Sequence, residues 1–171
     1  AVEAGTHLSV AWLDRGLQTW ITARTTHPSF LGALAGIPGS RPIAEAALAG
    51  LTGPLRDPVH GGWFTQVDAD GSTPDEKAAY SHAFVVLAAS SASVAGLDGA
   101  DDLQAEALAV FEQRFWDEAA GLAVDTWDRS FSALDPYRGI NANMHTVEAF
   151  LAASDVTGDP VWLERAARIA G

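Results

Sequence analysis

The chain contains no cysteine, so disulfides, thiolate nucleophiles and cysteine-ligated zinc are excluded. Basic residues are scarce too: ten Lys and Arg stand against 22 Asp and Glu, a net charge of -12. Nucleic acid or an anionic membrane face would meet repulsion instead of a basic footprint, so neither is expected as a partner. A neutral small molecule suits this chain, and a charged one would need its own local cation. Long apolar runs are missing, and the longest, residues 83–89, is too short to cross a bilayer. The first residues, Ala-Val-Glu-Ala-Gly-Thr-His, lack the basic start and apolar core of a signal peptide. They also lack an initiator Met, and a processed or truncated start is expected. Together with the missing cysteines this fits a cytoplasmic location. There is no His-Glu-x-x-His, Gly-x-Ser-x-Gly, phosphate loop or dinucleotide fingerprint. Asp68-Ala69-Asp70-Gly71 begins like a calcium loop, but its glycine comes too early and no Glu stands at the twelfth position.

What is present is apolar and helical in pattern. Hydrophobic residues make up 48% of 171, enough for one domain over 1–171 without an internal boundary. Leu8, Trp12, Leu13, Leu17, Trp20 and Ile21 form a broad stripe that predicts a helix over 2–25, ended or interrupted by Pro28. A second apolar run follows from Phe30 to Leu34, then a short Ala-rich helix over 42–51. Residues 61–67 read as a short strand before a turn. Thr73, Pro74 and Glu76 predict the start of a long helix over 74–94. Further helices are expected over 101–116, from about Asn141 to near Gly158, and from Pro160. A second extended piece is expected over 121–127.

The pattern repeats. Gly39, Gly99 and Gly158 each precede a similar Ala-rich helix and lie 60 and 59 residues apart. Residues 57–61 and 117–121 share Asp at the start and Gly at the end, again offset by 60. Each unit is therefore helix, turn, helix and short extended connection, the signature of stacked helical hairpins.

Three places carry candidate chemistry. In residues 137–150, Tyr-Arg-Gly-Ile-Asn-Ala-Asn-Met-His-Thr-Val-Glu-Ala-Phe, the spacing puts Asn141, His145 and Glu148 on one helical face. The plainer reading is a helix start with a hydrogen-bonded His. Trp20 and Arg24, four apart, offer a ring platform and a fixed cation that would suit a sugar, whose CH face stacks on indole while its oxygens accept from guanidinium. A core Trp with a snorkelling Arg is the plainer reading there. In residues 77–84, His82 lies about 200° around the helix from Tyr80 and reads as a satisfied core or inter-helix His. Trp63 reads as packing.

Arg138-Gly139-Ile140-Asn141-Ala142-Asn143-Met144-His145, with Glu148 three residues on, resembles the N-acylglucosamine 2-epimerase family. Thr22-Ala23-Arg24, Tyr80 and Gly61-Gly62-Trp63-Phe64 resemble it in the same order. The resemblance implies an all-α fold, an (α/α)6 barrel of helical hairpins with short β connections. At the observed period a closed ring needs about 360 residues, so this chain is expected to form about half of one, the N-terminal half. It also implies a sugar isomerase or 2-epimerase that works through an enediol(ate) without metal or other cofactor. Mannose-type sugars are the first expectation, with N-acetylglucosamine and cellobiose epimerases as the close alternative. A non-catalytic sugar-binding half-ring and a protein-binding helical scaffold are rivals of a different class. On this resemblance Arg24 and His145 are catalytic candidates, while Trp20, Tyr80 and Asn141 bind substrate. The two His residues of the acid–base pair belong to the family's C-terminal half. An open half-ring is expected to expose apolar helix surface, for example at Trp162, Leu163 and Ile169, and to self-associate or pair with the missing half.

Overall fold

The computed structural model describes residues 16–171. Six α-helices lie among them: α1 (Thr19–Leu34), α2 (Ser40–Thr52), α3 (Ala79–Val94), α4 (Ala100–Val110), α5 (Ile140–Thr157) and α6 (Pro160–Ala170). They form three hairpins, α1/α2, α3/α4 and α5/α6. The odd-numbered helices pack side by side in one layer, with α3 between α1 and α5. Twelve of the sixteen α3 residues are buried, against six of sixteen in α1, as expected for a helix flanked on both sides. One apolar cluster, from Phe30 and Leu51 through Trp63, Val85 and Phe111 to Phe150 and Trp162, runs through all three hairpins.

Short strands brace the ends of this layer. They are β1 (Leu17–Gln18), β2 (Gln66–Val67), β3 (Lys77–Ala78), β4 (Trp116–Asp117), β5 (Leu122–Ala123) and β6 (Thr126–Trp127). Their pairing obeys the 60-residue period. Leu17 pairs with Val67 and Lys77 with Trp127, both antiparallel. The isolated bridge Arg56–Trp63 recurs as Trp116–Ala123. The turns recur as well. Asp57 Oδ1 accepts from the backbone N–H of Val59 and His60 at 2.9 and 3.3 Å, and Asp117 Oδ1 from Ala119 and Ala120 at 3.0 Å each. Gly61 and Gly121 close these turns at φ 72° and 69°, a left-handed conformation that glycine adopts without steric cost.

Several helix limits differ from those read off the sequence. Of the expected helix over 2–25, residues 2–15 lie outside the described residues, Leu17 and Gln18 are strand, and α1 begins only at Thr19. Pro28 does not end α1, which runs on to Leu34. Proline there removes one intrahelical hydrogen bond, and complete burial of Phe30 two residues later holds the continuing turn against the core. The helix expected from Pro74 starts at Ala79, because Lys77 and Ala78 are held in the ladder to β6. The helix expected over 101–116 ends its α-form at Val110 and widens into one π-helical turn, Phe111–Phe115. That turn buries both phenylalanines completely, with ring centroids 5.5 Å apart. The extended pieces are shorter than expected: only Gln66 and Val67 of 61–67 are strand, and 121–127 divides into β5 and β6.

Beneath the strands lies a buried ion cluster. The side chains of Asp57 and Lys77 are fully buried and 3.0 Å apart, and Arg129 Nε reaches Asp57 at 3.1 Å. Lys77 also donates to the Gly61 carbonyl and sits 4.5 Å over the Phe131 ring. Phe131 holds φ 60°, the one positive value among the described non-glycine residues, and its ring is buried. Burial by itself would raise the Asp57 pKa, but hydrogen bonds from Arg129, Val59, Lys77 and His60 outweigh it and hold the carboxyl well below the ordinary range. Burial lowers the Lys77 pKa, and Asp57 partly restores it.

His82 is the core histidine its helical position indicated. Its Nδ1 lies 2.8 Å from the Ala78 carbonyl, and its Nε2 accepts from the Trp63 backbone N–H at 3.1 Å. The ring is therefore neutral with the proton on Nδ1. Burial pushes its pKa from 6.5 down to about 3, against the opposing Ala78 bond and with help from Lys77. A depressed base binds fewer protons folded than unfolded. Its contribution is therefore complete above pH 6.5 and is lost as pH falls toward 3, at up to about 1.4 kcal/mol per pH unit. Urea unfolding from pH 7 to pH 4 is expected to record that decline, and His82→Gln to flatten it. A wild-type slope equal to that of the variant would mean that His82 does not set it.

Candidate functional site

The residues singled out in the sequence meet where the three inner helices begin. Trp20 and Arg24 are the second and sixth residues of α1, Tyr80 and Phe84 of α3, Asn141 and His145 of α5. Two residues four apart stack on one helical face, so side-by-side helices at matching height bring the six positions onto one surface in two tiers. The contacts run across it. The rings of Trp20 and Tyr80 meet edge-on at 6.2 Å, and Tyr80 and His145 at 5.2 Å. Phe84 packs against Tyr80 at 5.1 Å and against His145 at 4.6 Å. The Arg24 guanidinium lies 5.8 Å from the Trp20 centroid and 5.3 Å from that of Phe84. Arg24 is exposed, Trp20, Tyr80 and His145 are half-buried, and Phe84 is buried.

Asn141 is exposed one turn before His145, and no protein hydrogen bond to its side chain occurs among the described residues. The neighbouring asparagine has a different task. Asn143 is buried, accepts from Ala123 N–H at 2.8 Å and donates to the Ala123 and Gly139 carbonyls at 3.1 and 3.0 Å. It ties the start of α5 to β5. Asp125 completes the tie by accepting from Gly139 N–H at 2.9 Å. A Cβ on Gly139 would overlap Asp125 Oδ2, which explains a glycine at this close approach.

His145 Nδ1 lies 3.0 Å from Glu148 Oε2. The His145 side chain is 18% exposed and that of Glu148 50%. Sequence reasoning had placed Glu148 on this face without a role and had missed Phe84. The signal for Phe84 was present: it stands four after Tyr80, as Arg24 does after Trp20, and 60 after Arg24. Trp63 is core, with its indole N–H donating to the Leu51 carbonyl at 2.7 Å. Among the described residues no three His, Asp or Glu side chains converge as metal ligands. No described helix is long and apolar enough to cross a membrane. A cavity of about 250 Å³ lies at the far end of the layer, lined by Phe30, Leu34, Ile37, Arg41 and Leu97 among others, well away from the aromatic tiers.

Residues 11–171 match the profile of N-acylglucosamine 2-epimerase (GlcNAc 2-epimerase). The chain belongs to this family. A D-mannose isomerase of Thermobifida fusca is 55% identical over 169 residues, a stretch covering 94% of this chain and 42% of that protein. The crystal structure of a D-mannose isomerase superposes with a TM-score of 0.84 at 28% identity, over 91% of this chain and 41% of the other. A cellobiose 2-epimerase from Spirochaeta thermophila DSM 6192 gives a TM-score of 0.82 at 24% identity, over 91% and 42%, a likeness of fold alone. The chain thus spans about two fifths of the length of the relatives it matches. Its three hairpins are a segment of the (α/α)6 fold, as the period and the resemblance had implied.

Proposed function

We propose that this member of the N-acylglucosamine 2-epimerase family supplies the N-terminal wall of a sugar isomerase site, and that its substrate is a mannose-type aldose. The observation that carries the reading is the two-tier surface formed by Trp20, Arg24, Tyr80 and His145 from three separate helices. Identity of 55% to a D-mannose isomerase favours mannose over the epimerase substrates. Conversion of an aldose to a ketose removes the proton at C2 and delivers one to C1. The O2 proton leaves and O1 gains one, through an enediol(ate). In this scheme Trp20 and Tyr80 receive the CH face of the sugar. Arg24 donates to the oxygens on which negative charge develops, and Asn141 hydrogen-bonds a hydroxyl. His145 holds or polarises the reacting oxygens, while the C2-to-C1 proton shuttle belongs to groups outside this chain. Substrate comparison tests the choice of sugar: fructose formed from mannose supports it. Faster turnover of N-acetylglucosamine or cellobiose by a chain carrying this sequence at the length of its relatives would overturn it.

The 171-residue chain alone is expected to be inactive and to associate. Trp162, expected at an exposed end, is buried against Phe150 at 5.1 Å. Leu163 is exposed as expected and Ile169 half-buried, and α5 adds an exposed apolar stripe of Ile140, Met144 and Leu151. The corresponding face of α3 is covered, with Ala79, Ala83 and Val86 buried. Stripes of this kind normally find a partner, here a second copy or further hairpins. Sedimentation should give concentration-dependent association that Met144→Ser weakens. A monomer at all concentrations that converts mannose to fructose would overturn both expectations.

A further inference from the structure

We infer that Glu148 is a positioning residue for His145: it fixes the imidazole as the Nδ1–H tautomer and so presents the Nε2 lone pair to the sugar. The inference rests on the proposed role of His145 and adds to it the group that selects the ring's reactive nitrogen. An ionised carboxylate has no proton to donate and only accepts. A neutral imidazole carries its proton on one nitrogen, and the partner of one nitrogen dictates the state of the other. With Nδ1 lying 3.0 Å from Glu148 Oε2, the proton sits on Nδ1 and Nε2 is left as base or acceptor. Among the described residues no protein group bonds Nε2.

The rest of the cage leaves the ring little choice of orientation. Phe84 covers it at 4.6 Å with an interplanar angle of 43°, and Tyr80 meets it edge-on at 5.2 Å and 83°. These apolar walls restrict the plane of the imidazole without distinguishing its two nitrogens, since a ring turned over would fill nearly the same space. Glu148 makes that distinction. It sits one turn further along α5, on the same face, where i and i+3 side chains meet. A carboxylate on a remote surface would do this poorly, because a free side chain samples many rotamers. Helical spacing keeps this one within reach.

The position of the pair also argues against a mainly stabilising role. Glu148 is half exposed, and a polar contact that water reaches adds little to folding even where it carries charge. An interaction that is weak for stability and strict in geometry is what a positioning contact requires. An Nε2 lone pair held in this way accepts from a sugar hydroxyl and fixes the oxygen it faces.

The test replaces Glu148 with Gln, which retains size but can present either an oxygen or an N–H to Nδ1. Long-range ¹H–¹⁵N spectra should place the proton of neutral His145 on Nδ1 in the wild type, and on both nitrogens in the variant. In a chain carrying this sequence at the length of its relatives, kcat should fall about tenfold, with KM within about twofold and the melting temperature unchanged. Glu148→Asp should restore part of the rate. A wild-type ring protonated mainly on Nε2 would overturn the inference. So would a Glu148→Gln enzyme with full kcat while His145→Ala is inactive. If instead the tautomer shifts as expected but His145→Ala also turns over normally, the contact stands as a positioning device and the proposed role of His145 falls.

Discussion

His145→Ala is expected to lower sugar turnover by roughly 10²-fold or more while costing only a few degrees of melting temperature. The two magnitudes separate because the side chain is half-buried on the tiered surface and is not part of the core. Its loss removes ring contacts to Tyr80 and Phe84. Aromatic pairs of this kind contribute about 0.5–1.5 kcal/mol, and a chain of this length loses about 2–4 °C per kcal/mol. On the catalytic side no other imidazole lies among the tier residues Trp20, Arg24, Tyr80, Phe84 and Asn141. His82, two residues after Tyr80 on α3, is held in the core and kept neutral. Steady-state kinetics on mannose together with a thermal melt would decide the matter. Normal turnover with a melting temperature lowered by ten degrees or more would make His145 a packing residue.

Asp57→Ala is expected to destabilise the fold by about 3–5 kcal/mol, the range for removing one partner of a buried ion pair. The cost falls on Lys77, whose side chain is fully buried and would be left without a counterion. Arg129 suffers less, because it is 36% exposed and can turn to water. Lys77→Met should cost less than Asp57→Ala, since Asp57 would retain Arg129 and two backbone donors. The double replacement should regain much of the single loss. The acid response has a definite sign. Asp57 is depressed when folded, so its contribution is fully present above its ordinary value of 3.8 and is lost as pH falls from there toward the folded value. Urea unfolding of the three variants would test this ordering. Equal stability of wild type and Asp57→Ala would show that the cluster is dispensable.

The sequence carried some of these features openly and concealed others. The period was legible because turns demand particular residues: Asp at 57 and 117, Gly at 61 and 121. The tiers were partly legible, because Trp20–Arg24 and Asn141–His145 are polar or aromatic pairs at helical spacing. Phe84 was hidden because it sits in the apolar run of residues 83–89 and looks like any other core residue. The Asp57–Lys77–Arg129 cluster was hidden for a different reason. Its members are 20 and 52 residues apart, and no local pattern links charges that meet only through tertiary packing. Pro28 misled because a local rule predicts a break, and burial of Phe30 overrides it.

The backbone of the first two hairpins is closely duplicated, down to the strand register and the Asx-type turns. The tier positions are not: they read Trp and Arg, then Tyr and Phe, then Asn and His. A pyranose has no rotation axis, so a wall that repeated itself could not hold its hydroxyls one by one. In the proposed sugar site, discrimination among those hydroxyls then comes from differences among the side chains. The repeat supplies three equivalent pairs of positions, and each pair is unlike its neighbours. If the proposed sugar site is right, exchanging the residues of one pair for those of the next is expected to leave the scaffold standing and to weaken its preference for one sugar epimer over another.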